Sequence, residues 1–181
     1  MPGSAVTIDH IRAAAGRIAP YVHRTPVLSS RLINAEAGCD VLFKCENLQK
    51  VGAFKARGAH NAVLCLTREQ LARGVATHSS GNHAAALALA ASHFGVPAYI
   101  VMPENAPASK VAAVRAYGGA ITFCESTQAA RESTLQNLCA RTGASFIPPY
   151  DHADVIAGQG TTALELAEQL DSAPDFLLTP V

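Results

Sequence analysis

The sequence predicts an α/β fold, a parallel sheet covered by helices on both faces. Three observations carry this. Short apolar, β-rich runs alternate with Ala-rich helical stretches, and the two patterns have different periods. Single helices separate successive strands, which requires crossover connections and parallel pairing. The chain has 181 residues, 49% of them hydrophobic and 15% charged, enough apolar surface for a buried core and too much for a disordered chain.

The elements follow in order. Val41–Cys45 (VLFKC) reads as a strand. From Phe54 to about Leu66, Ala59, Ala62, Val63 and Leu66 recur at helical spacing. Gly74–Thr77 is a short strand, and Asn82–Phe94 a helix stopped by Gly95. Pro97–Met102 is a strand, Pro107–Tyr117 a helix with proline at its start and Gly118-Gly119 past its end. Ala120–Cys124 is a strand, the stretch from Ser126 to Thr142-Gly143 a helix, and Ala144–Ile147 a strand. Asp154–Leu170 is a helix whose first turns Gly158 and Gly160 are expected to weaken. Asp175–Val181 (DFLLTPV) reads as one more apolar strand. In α/β sheets the loop after a strand carries ligand contacts, so the chain is expected to be cut short where such a loop should begin.

Charge and cysteine usage narrow the function. Fourteen Lys and Arg balance fourteen Asp and Glu, which excludes nucleic acid or an anionic membrane as the main partner, since both require a basic excess. No apolar run approaches a membrane span, and Asp9 opposes a signal or transit peptide. Cys39, Cys45, Cys65, Cys124 and Cys139 are scattered without a Cys-x-x-Cys pair, so neither a zinc site nor a disulfide framework is expected and reduced thiols in the cytoplasm are the simplest reading. His10, His78, His93 and His152 have no partner at ligand spacing and are taken as structural or surface residues.

Two constellations carry chemistry. In the string from Glu46 to Ala59, Lys55 stands at the mouth of a helix beside Phe54. The helix dipole and an aromatic neighbour both lower an amine's pKa, as attack on an aldehyde requires; a solvated loop lysine is the alternative. The second is Thr77-His78-Ser79-Ser80-Gly81-Asn82-His83, between a strand and an Ala-rich helix. Backbone N–H groups at a helix start receive a carboxylate or phosphate, hydroxyls and an amide add donors, and glycine permits close approach; an ordinary helix cap without a ligand is the alternative. A Ser-His hydrolase lacks its Gly-x-Ser-x-Gly elbow and a nicotinamide-binding domain its Gly-x-Gly-x-x-Gly.

Together, Lys55 with Arg57-Gly58 and Ser79-Ser80-Gly81-Asn82-His83 one crossover later resemble the fold-type-II pyridoxal-phosphate enzymes, in the branch of serine/threonine dehydratases and serine racemases. Arg24-Thr25-Pro26-Val27, Phe43-Lys44-Cys45-Glu46, Gly95-Val96-Pro97-Ala98 and Val155 to Thr161 add to it. The resemblance covers nearly the whole chain. It implies a two-lobed, tryptophan-synthase-β-like fold, with residues 1–66 beginning the large lobe, 67–149 forming the small lobe and 150–181 returning to the large one, whose second half is missing. It implies a Schiff base between Lys55 and pyridoxal 5′-phosphate, and an ammonia-lyase or racemase acting on serine, threonine or a related hydroxy amino acid. Lys55 and Ser80 would exchange the Cα proton on opposite faces. Phe54 and Asn82 would contact the cofactor, Asn82 at its phenolic oxygen, while Ser79, Ser80, Gly81, Asn82 and His83 would hold the substrate carboxylate and Arg131 its distal end. Ser80 stands where serine racemases and hydroxyaspartate dehydratases carry serine. Ala53 departs from the family's commoner serine. The phosphate-binding Gly-rich loop, the partner of the pyridine nitrogen and the racemases' metal site would lie beyond this chain, so weak or no activity is expected from it alone. A homodimer is implied for the full-length form, and the alternative is an inactive module that pairs with a full-length homologue.

Overall fold

A computed structural model of the chain describes residues 6–179. Helix α1 (Ile8–Ile18) is followed by strand β1 (Val27–Ser29), helix α2 (Arg31–Ala37) and strand β2 (Leu42–Lys44). Two one-turn 3₁₀ segments, Glu46–Leu48 and Lys50–Gly52, lead into α3 (Lys55–Leu64) and the short α4 (Arg68–Ala72). Then strands and helices alternate: β3 (Val75–His78), α5 (Asn82–His93), β4 (Ala98–Pro103), α6 (Ala108–Ala116), β5 (Ala120–Cys124), α7 (Gln128–Thr142), β6 (Ser145–Phe146) and α8 (Ala153–Gln169).

The four later strands form the expected parallel sheet, in the order β5-β4-β3-β6. Its two faces are told apart by strand alternation. Val75, Ile100 and Met102 point into a core with α5 and α6, whereas Ala76, Val101 and Cys124 point into a second core with Leu135 and Leu138 of α7. Helix α5 has eight buried residues of twelve, because it is sandwiched between the sheet and α3. Alanine serves both needs there, high helical propensity and a narrow cross-section.

The packing of α8 explains its glycines. The helix runs unbroken through Gly158 and Gly160, against the expectation of weakened first turns. A Cβ on Gly158 would lie 2.6 Å from the Arg57 carbonyl and 2.8 Å from Gly58 Cα, and one on Gly160 would lie 2.8 Å from Ile11 Cδ1. Close approach to α3 and α1 outweighs the propensity cost.

Two further expectations are corrected. The strand at 41–45 does not join the parallel sheet: β2 pairs antiparallel with β1, Leu28 opposite Phe43, in a separate two-stranded sheet. Residues 175–179 form no strand, and Phe176 and Leu178 are 88% and 94% exposed. A strand exists by pairing, and among the described residues none lies beside this segment; Pro180 and Val181 lie outside the described residues. Helices α1, α2 and α4 and strand β1 are additions to the predicted elements.

Candidate active site

The strand order identifies where a ligand would sit. From β3 the chain moves outward to β4 and β5, then returns so that β6 pairs with β3 from the other side. Connections leaving in opposite directions open a crevice at the carboxyl ends of the two strands, the usual ligand position in open α/β sheets. After β3 comes Ser79-Ser80-Gly81, and after β6 comes Ile147-Pro148-Pro149.

These two turns are tied to the helices that start beside them. Lys55, the first residue of α3, donates from Nζ to the Pro149 carbonyl at 2.7 Å. His83, in the first turn of α5, bonds through Nε2 to the Ile147 carbonyl at 3.0 Å. Lys55 and His83 thus hold alternate carbonyls of one three-residue segment. The turn that delivers Lys55 is sharply wound: Val51 has φ 56° and Gly52 φ 68°, and a β-branched residue in the left-handed region is strained.

Electrostatics follow from burial. Burial lowers the Lys55 pKa below the usual lysine range. The Phe54 ring, its centroid 5.0 Å from Nζ, would by itself favour the ammonium, so burial and not the aromatic neighbour depresses the amine. Burial pushes His83 down to about 4, against the pull of the Ile147 carbonyl and with the charge of Lys55 adding to it. His83 is therefore neutral at pH 7. Its Nε2 donates to Ile147 and its buried Nδ1 has no partner.

The serine-rich turn is braced from within. Ser79 N–H donates to Val101 O at 3.1 Å, extending the β3–β4 ladder, and Ser79 Oγ accepts from Gly81 N–H at 3.3 Å. Ser80 is half-buried. Gly81 caps α5, and a Cβ there would meet nothing within 4 Å, so space opens over the helix start. Asn82 Oδ1 accepts from Lys110 Nζ of α6 at 2.6 Å. Arg131 lies in the first turn of α7, on the opposite sheet face, with its Nε buried and unpartnered. Burial lowers the pKa of His78 at the end of β3; the charge of Glu132 opposes that shift and the charge of Arg131 adds to it.

The structure thus gathers Phe54, Lys55, Ser79, Ser80, Gly81, Asn82 and His83 at the ends of β3 and β6, whereas Arg131 stays on α7 across the sheet, where its charge acts on His78. Sequence reasoning missed Lys110 and the carbonyls of Ile147 and Pro149, which carry no side-chain signature. It also missed what Arg57 does. That guanidinium is fully buried and bonds Glu46 (2.8 and 2.9 Å) and Glu165 (2.7 and 2.9 Å), while Lys44 Nζ reaches Glu165 at 2.8 Å. Burial alone would lower the Arg57 pKa, but the two carboxylates raise it. Glu165 is held below its usual value by Arg57 and Lys44, against burial. The network locks α3, and with it Lys55, to α8. Tyr21 stacks on His60, and His93 packs tilted against both, with His60 Nε2 and His93 Nδ1 3.0 Å apart. Among the described residues no group of His, Cys, Asp and Glu could hold a metal ion, and no helix is long and apolar enough to cross a membrane.

Comparison with known proteins identifies relatives of the chain and of its fold. The chain is 52% identical over 177 residues to a serine racemase of Arabidopsis thaliana, covering 98% of this chain and 53% of the relative. It is 49% identical over 175 residues to a β-hydroxyaspartate dehydratase of Paracoccus denitrificans, covering 97% and 55%. The fold superposes on the structure of maize serine racemase with a TM-score of 0.91 at 54% identity, covering 92% of this chain and 51% of that one. The chain spans about half the length of the relatives it matches. The family model described as pyridoxal-phosphate dependent enzyme matches residues 18–181; with its amine at the switch point of a parallel sheet, the chain belongs to that family.

Proposed function

We propose that this chain carries the amine-bearing half of a pyridoxal-phosphate ammonia-lyase or racemase that acts on serine, threonine or a related hydroxy amino acid. The observation that supports it is the placement of Lys55: a half-buried amine of lowered pKa, held on the Pro149 carbonyl beside the serine-rich turn. The donor set suits an aldehyde cofactor, since Lys55 supplies the amine, Phe54 an aromatic face and Asn82 an amide, with open space over Gly81. When bound, the cofactor supplies an electron sink for negative charge at the substrate Cα. The protein's own groups do the rest. Lys55 Nζ takes the Cα proton on one face and Ser80 Oγ gives or takes one on the other. The helix start at Gly81, Asn82 and His83, with the Ser79 and Ser80 hydroxyls, holds the α-carboxylate, and Arg131 meets the distal end of the side chain. Neutral His83 orients the turn rather than moving protons.

The same reading takes residues 1–66 and 150–181 as parts of a large lobe and 67–149 as a small lobe. A homodimer for the full-length form and a reducing compartment such as the cytoplasm, in keeping with five free cysteines, belong to it as well. A second reading, an inactive module that pairs with a full-length homologue, is favoured by one observation, the exposure of Leu32 (84%), Phe176 and Leu178.

Incubation with pyridoxal 5′-phosphate, dialysis and borohydride reduction test the first reading. The expected result is a retained visible band, with the reduced adduct mapped to Lys55 by peptide mass. An adduct spread over surface lysines, or none, overturns it.

A further inference from the structure

The bond between Lys110 and Asn82 has a chemical consequence. A primary amide carries an acceptor oxygen and a donor nitrogen of nearly the same shape, so packing alone leaves its orientation open. An ammonium offers donors only. Lys110 Nζ, reaching from the first turn of α6, takes the Asn82 oxygen at 2.6 Å, which leaves Nδ2 as the group Asn82 presents to anything else. The location is also unusual for a lysine. Helices α5 and α6 both begin here, neither has an acid in its first turn, and helix N-termini disfavour cations. Lys110, the two helix starts and Lys55, whose charge reaches His83, together make a positive pole that suits an anionic oxygen.

We propose that Lys110 is a positioning residue for the cofactor: by holding Asn82 Oδ1 it turns the Nδ2 donor toward the phenolic oxygen of pyridoxal phosphate, and its fixed charge favours the ionised form of that oxygen. The inference rests on the reading above in which Asn82 serves that oxygen. Loss of the charge or of the donor then raises the pH at which the bound chromophore titrates.

The experiment is a spectrophotometric pH titration of the full chain loaded with pyridoxal 5′-phosphate, for the wild type and for Lys110→Met, Lys110→Arg and Asn82→Asp. In Lys110→Met the midpoint is expected to rise by about one pH unit, and Lys110→Arg, which keeps charge and donor, to return it to the wild-type value. Asn82→Asp keeps Lys110 paired but removes the amide donor, and its midpoint is expected to rise too; should Lys110→Met fail to fold, this variant decides. An unchanged midpoint in a wild type and variants that all bind cofactor overturns the positioning role and leaves the proposed function standing. Failure of the wild type to take up cofactor overturns both.

Discussion

Single side chains set the chemistry, and two of them separate catalysis from folding. Ser80 is assigned the face opposite Lys55, so in the full-length form Ser80→Ala is expected to slow racemisation of serine by about a hundredfold or more, while elimination from the enantiomer served by Lys55 persists. Chiral chromatography of serine beside a keto-acid assay reads both, and parallel loss of the two activities would remove Ser80 from its role. Arg57 works differently. It touches no open space, yet truncation to methionine would strand Glu46 and Glu165 around an apolar stem, at a cost of about 3 to 5 kcal/mol. Urea unfolding of Arg57→Met measures this, and a loss under about 1 kcal/mol would show that the carboxylates find water instead. The two residues were unequally legible. Ser80 sits in a string whose residue types state their chemistry. Arg57 stood in a quoted motif, but one of its partners, Glu165, is 108 residues away and nothing in local spacing links them.

At the scale of elements, the parallel unit was readable because each strand is a short apolar run closed by Gly, Pro or Ser, and each helix an alanine-rich stretch; β5 was predicted at its observed bounds, Ala120–Cys124. Elements whose identity depends on a distant partner were not. The strand β1 exists through its pairing with β2, and the segment 175–179 reads as a strand in composition but has no neighbour to pair with. The glycines of α8 belong to the same class: local propensity counts them as weak points, whereas the α3 contact requires them. This gives a paired prediction. Gly158→Ala places a methyl group 2.6 Å from the Arg57 carbonyl, and overpacking of this kind is expected to destabilise by about 1 to 3 kcal/mol. Gly16→Ala, in α1 with nothing within 4 Å of its Cβ, is expected to stabilise by about 0.5 to 1 kcal/mol. Thermal unfolding of the two proteins should move in opposite directions; a shift of both the same way would mean that propensity and not packing governs α8.

Across the whole molecule, stability and acidity are coupled through buried imidazoles. Burial pushes both His60 and His83 down to about 4, whereas in the unfolded chain they titrate near 6.5. Between these values the unfolded state binds more protons than the folded one, so stability rises with pH and is lost as pH falls from about 6.5 to 4. Glu165 acts in the same direction lower down: its folded pKa is depressed by Arg57 and Lys44, so its contribution is present above the usual carboxylate range and disappears as pH falls through the folded value. The site shares this fate, because the His83 bond to Ile147 holds the same segment that receives Lys55. Urea midpoints measured from about pH 7 down to 4 should therefore fall steadily, and His60→Asn should flatten the upper part of that slope without removing cofactor fixation at Lys55. His83→Asn should flatten the slope and weaken fixation together. Equal behaviour of the two variants would separate the imidazole on Ile147 from the positioning of the lysine.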